Sequence, residues 1–169
     1  MLERKAQVFW PLLLVLLLTD CSTKRLAEEH LLPAYVPREV LGDALRLTLA
    51  YNEGAATGIT FGPLSRVAFS LAALVVVVVL LHQFRRAAAH DGWLAAALAL
   101  VTGGAAGNLL DRLRSTRGVV DFNAIGVGEY RFWIFNVADV GVTVGAVLLA
   151  ILLWRRDPAR LEAPPSPSA

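Results

Sequence analysis

The chain has one cysteine, Cys21, and three histidines, His30, His82 and His90, among 169 residues. A single cysteine cannot close an internal disulfide or build a multi-cysteine metal site. The histidines are scattered without HExxH or other ligand spacing, which argues against a zinc peptidase. His82 and His90 read as interfacial. Charge is also scarce, at 18% of residues with a net +2. The arginines flank apolar segments and do not form a nucleic-acid face. The sequence therefore gives no basis for a metal, an organic cofactor or a nucleic-acid partner.

Apolar residues are abundant, at 56%, with a mean hydropathy of +0.57. Crossing a bilayer takes about twenty apolar residues. Four runs approach that length, at about 8–26, 64–84, 93–111 and 132–154. The run at 64–84 contains VVVVVLL, but a lone strand would leave open edges in lipid, so a helix is required. The expected fold is an all-α membrane protein with four transmembrane helices in a single integral membrane domain, 1–169. Two connections, about 27–63 and 112–131, lie between the helices, and a tail at about 157–169 reads as disordered. In the first connection Leu45, Leu47 and Leu49 alternate with Arg46, Thr48 and Ala50, a strand-like period. The turn chemistry of NEGAATG follows. A small sheet at the membrane surface fits both features.

The first run also resembles a signal peptide ending at Cys21, but Asp20 stands where cleavage before a cysteine wants a small residue. A membrane helix with Asp20 and Lys24 on one face fits better, since residues four apart can neutralise each other. An alternative puts the pair at the water interface with Lys24 snorkelling. Arg4, Lys5, Arg85, Arg86, Arg155, Arg156 and Arg160 share one side of a four-helix topology. The positive-inside rule makes that side cytoplasmic, with both termini on it.

Three further acidic residues sit beside apolar runs: Asp111 in GGAAGNLLDR (103–112), Asp121 in GVVDF (118–122) and Asp139 in FNVAD (135–139). A carboxylate at membrane depth costs roughly 2.5–3.5 kcal/mol on insertion scales and marks a functional site by default. Asn108 and Arg112 share one helical face, as do Asn136 and Asp139. Asp111 reads as structural, an ion pair with Arg112 that ends its helix. With four crossings these groups and Asn52 meet on the non-cytoplasmic side. Asp121 and Asp139 could there activate a water between them, as close carboxylates share one proton. Asn52, Asn108, Asn136 and Arg112 could donate to substrate carbonyls or an oxyanion.

In order, DCSTK, YNEGAATG, GGAAGNLLDR, GVVDF and FNVAD resemble the motifs of bacterial lipoprotein signal peptidases (signal peptidase II, aspartyl peptidase family A8). The resemblance spans about Asp20 to Asp139. It implies a monomeric inner-membrane aspartic endopeptidase that cuts diacylglyceryl-modified prolipoproteins before the lipidated cysteine, in contact with membrane lipid. It makes Asp121 and Asp139 the catalytic pair. Asn52, Gly54, Asn108, Arg112 and Asn136 become substrate-binding or ordering groups, and Asp20 and Lys24 supporting ones. It also implies an extracytoplasmic β-cradle. Thr57, where the family usually has an aromatic residue, and Cys21, where it has glutamine, depart from the pattern. The competing readings are a non-enzymatic four-helix membrane protein and a small proton-coupled transporter.

Overall fold

The computed structural model describes residues 3–54, 62–128 and 130–155. Four long helices form the body: α1 (Arg4–His30), α2 (Ser65–Arg86), α3 (Gly92–Arg114) and α4 (Val137–Arg155). All four are long and apolar enough to cross a membrane. α1, α2 and α4 carry many exposed Leu, Val and Ile side chains, as helices facing lipid do.

α3 is the central helix and touches the other three. Its sequence explains why. Ala95, Ala97, Ala99, Gly103, Gly104 and Gly107 are all buried, and small side chains let neighbouring backbones approach. A Cβ on Gly104 would lie 2.3 Å from the Ala138 carbonyl oxygen and 2.7 Å from Val142 Cγ2. Gly104→Ala must therefore push α4 away from α3. We expect it to lower stability by about 1–3 kcal/mol, the usual cost of overpacking, measured as thermal unfolding in detergent.

At the opposite end from the sheet, Phe9 and Phe84 stack at 3.9 Å between centroids over Ala95, Leu98 and Ala99. Lys5 Nζ donates to the carbonyls of Arg85 and Ala87, satisfying the last turn of α2. This contact ties the first residues of α1 to the α2–α3 loop.

Both long connections contribute strands to one sheet of order β1-β2-β3-β4: β1 (Arg38–Leu41), β2 (Leu45–Asn52), β3 (Val119–Val127) and β4 (Tyr130–Arg131). Neighbouring strands are antiparallel. The β2–β3 pairing sets Ala50 opposite Asp121 and Asn52 opposite Val119. Gly118, at φ +96°, lets the chain enter β3 against the Asn52 carbonyl; a Cβ there would sit 2.3 Å from it.

The boundaries differ from the sequence expectation in three places. α1 runs four residues further at each end, because Lys5 binds the α2 terminus and Arg38 donates to the His30 and Leu32 carbonyls past its C-terminus. α4 starts at Val137, not near residue 132, because Phe135 exchanges backbone hydrogen bonds with Asn123 and holds the chain extended. The second connection, expected only as a link between helices, supplies β3, one of the two inner strands of the sheet. Its first four residues, Val119 to Phe122, are all buried, so it lacks the alternation of a half-exposed strand.

Candidate active site

The site begins where α4 begins. Asn136 stands just before the helix and Asp139 is its third residue. Asn136 Oδ1 accepts from the Asp139 N–H at 3.0 Å, and Asp139 Oδ2 accepts from the Asn136 N–H at 3.1 Å. This is a reciprocal capping box, with aspartate in the position usual for glutamate. Asp20 on α1 completes the terminus: its Oδ1 accepts from the Ala138 N–H at 2.9 Å. The second oxygen of Asp139 accepts from Asn108 Nδ2 at 2.8 Å.

Asp121 approaches from β3 and is 2% exposed. Asn136 Nδ2 donates to its Oδ1 at 2.7 Å, and Asn52 Nδ2 donates to its Oδ2 at 3.1 Å. Asn136 thus touches both aspartates, one through its amide nitrogen and the other through its cap. Burial, and secondly the neighbouring Asp139 carboxylate, push the Asp121 carboxyl up from 3.8 to about 7. Asn52 Oδ1 accepts from the Gly54 N–H, and Arg112 Nη2 donates to the Gly54 carbonyl at 2.9 Å. These two bonds fix the turn after β2 against α3.

Both aspartates line one cavity of about 270 Å³, with Asn52, Asn108 and Arg112. Its far wall is α2, through Phe69, Ala72, Ala73 and Val76. The run that forms α2 carries no acidic residue, so its sequence gives no sign that one face lines a site and not lipid.

Beneath Asn108 lies a buried ionic cluster. Lys24 Nζ is 2.7 Å from Asp20 Oδ2 and 2.8 Å from Asp111 Oδ2, and it donates to Asn108 Oδ1 at 2.9 Å. Lys24 is 3% exposed, so the snorkelling alternative does not hold. Gly107 leaves room for this cluster, since a Cβ there would meet Asp20 Oδ2 at 2.6 Å. Asp111 was expected to pair with Arg112. It pairs across the bundle with Lys24 and accepts from the Val120 N–H, while Arg112 turns to the Gly54 and Asn108 carbonyls. These contacts of Asp111 join α1 and α3 to the strand that carries Asp121. Cys21 is half-buried beside this cluster in sequence, and Thr57 lies outside the described residues.

A buried and a half-buried carboxylate share one cavity with amide donors, at the end of four helices apolar enough to span a membrane, an arrangement that fits the class of aspartic hydrolases working within a membrane. The family described as Signal peptidase (SPase) II matches residues 12–155. A lipoprotein signal peptidase of Pseudomonas putida is 42% identical over 149 residues, covering 86% of this chain and 85% of its own. One of Halalkalibacterium halodurans is 37% identical, covering 89% of this chain and 94% of its own. A solved bacterial membrane enzyme superposes with a TM-score of 0.79 at 28% identity, covering 92% of each chain. The chain belongs to the signal peptidase II family of aspartic peptidases, and is a protein of the bacterial inner membrane.

Proposed function

We propose that this chain removes the signal peptide from diacylglyceryl-modified prolipoproteins, cutting just before the lipidated cysteine, with a water activated between Asp121 and Asp139. The observation that carries the reading is the shared cavity: two carboxylates from different elements face it, joined by the side chain of Asn136.

In this mechanism Asp121 enters protonated and donates to the carbonyl oxygen of the scissile bond. Its raised pKa of about 7 supports that assignment. Asp139, held by the Asn136 N–H and Asn108 Nδ2, takes a proton from the water as it attacks the carbonyl carbon. The C–N bond of the tetrahedral intermediate breaks as that proton passes to the leaving amine, and Asp121 takes back a proton from the diol as the new carboxyl forms. Arg112 Nε is buried with no protein partner among the described residues, which suits it to a substrate carbonyl. The reading takes the protein as a monomer working within membrane lipid.

The same reading puts both termini in the cytoplasm and the site near the extracytoplasmic face of a single membrane domain. Arg4, Lys5, Arg85 and Arg86 gather at the end away from the sheet, where Lys5 contacts the Arg85 carbonyl, and this supports it.

The test is cleavage of a diacylglyceryl-modified prolipoprotein by purified protein in detergent. The expected product begins at the lipidated cysteine; a folded protein that leaves the substrate intact overturns the reading. The pH dependence follows from Asp121. The acid is active when protonated, so kcat/KM should fall about tenfold per pH unit above about 7. A flat profile to pH 9 would remove Asp121 from the acid role. The linked stability effect has a definite sign. Between 3.8 and about 7 the folded state binds the extra proton, so stability falls as pH rises through that window.

A further inference from the structure

The amide of Asn108 faces two kinds of neighbour. On one side is Asp139 Oδ1, which can only accept from it usefully if the amide nitrogen points there, at 2.8 Å. On the other are Lys24 Nζ and Asn136 Nδ2, both donors, at 2.9 and 3.1 Å from Asn108 Oδ1. An amide has nearly the same shape when flipped, so only its hydrogen-bond partners choose its orientation. A flip would set a carbonyl against the Asp139 carboxylate and remove a donor from the attacking base.

Asn136 is a weak arbiter. Its Nδ2 has two hydrogens to share among Asn108 Oδ1, the Val120 carbonyl and Asp121 Oδ1, and the shortest contact, 2.7 Å, goes to Asp121. Lys24 has no acceptor atom at all: its ammonium lies in ion-pair range of Asp20 and Asp111, at 2.7 and 2.8 Å, and donates its hydrogen bond to Asn108 Oδ1. The two carboxylates hold the ammonium in place by charge, and the donor it presents goes to Asn108.

We propose that Lys24 is a positioning residue for the cleavage reaction: by holding the carbonyl of Asn108, it directs the amide N–H of Asn108 at Asp139. The assignment rests on the proposed Asp121–Asp139 chemistry. It makes the buried ionic cluster a device that aims a donor at the base, in addition to a brace between α1 and α3.

The experiment is a double-mutant cycle in kcat between Lys24→Met and Asn108→Ala, read on folded protein with a diacylglyceryl-modified prolipoprotein. Removing Lys24 alone strands two buried carboxylates, which threatens folding. The cycle is therefore repeated in an Asp111→Asn background, where Lys24 keeps Asp20 as its ion-pair partner, the amide oxygen still accepts from the Val120 N–H, and Lys24→Met leaves one buried carboxylate and not two. If Lys24 acts through Asn108, Lys24→Met lowers kcat by about 10²-fold with KM unchanged, as for a small misplacement of a reacting group. The double variant is then no slower than Asn108→Ala alone. Unchanged kcat, or losses that multiply in the double variant, overturn the proposal. Asp139→Asn, run alongside, separates the two levels. If it is inactive while the Lys24 and Asn108 losses multiply, only the role of Lys24 falls. If it keeps turnover, the aspartate chemistry falls and the role of Lys24 with it.

Discussion

Asp139→Asn and Asp121→Asn each reduce prolipoprotein cleavage by roughly 10³–10⁴-fold, the upper range for removing a positioned acid or base. Each substitution preserves volume and leaves one amide oxygen as acceptor, so the variants stay folded. At Asp139 that oxygen continues to take one of the two N–H groups that now reach the carboxylate, from Asn136 and Asn108. At Asp121 it continues to take one of the side-chain amides of Asn136 and Asn52. What is lost is the proton traffic. Because the two carboxylates work on one water, the double variant should be no slower than the slower single one. Cleavage assays with thermal unfolding in parallel check this. Full turnover in either folded variant would move the scaffold or transport reading ahead of the peptidase mechanism.

Asn136→Ala should have the next largest effect, because one side chain serves two ends. It removes the cap of α4, at a cost of about 1 kcal/mol, and the donor to Asp121 Oδ1. We expect kcat to fall about 10²-fold or more, since both carboxylates lose a constraint on their position. Asn136→Ser separates the two jobs. Serine caps helices as well as asparagine, so most of the lost stability should return. Its shorter side chain does not span to Asp121, so kcat should stay low. Recovery of both would mean that Asn136 acts only as a cap.

The convergence of polar residues was legible in the sequence, and the reason lies in chain order. Asp20 falls near the C-terminal end of the first apolar run, Asn108 and Asp111 near that of the third, and Asp139 near the N-terminal start of the fourth, so four crossings bring them to one side. The pairing of Asp20 with Lys24 was legible too, because helical spacing alone puts residues four apart on one face. The partners of Asp111 were not. Arg112 is adjacent in sequence, yet adjacent helical residues point in different directions, and Lys24 arrives from α1. The strand carrying Asp121 was hidden for a related reason. Val119 to Phe122 are buried together, and neither a helical nor an alternating period marks such a run.

The sequence by itself determined the four membrane helices, because a bilayer sets a length and admits little else, and it determined which carboxylates would be conspicuous there. Tertiary structure alone decided which donor meets which carboxylate. Asp20 caps a helix 118 residues further along the chain, and Lys24 reaches Asn108 across 84 residues. Hydrogen bonds act over about 3 Å, so their partners are set by how α1, α3, α4 and β3 pack, which no local pattern encodes.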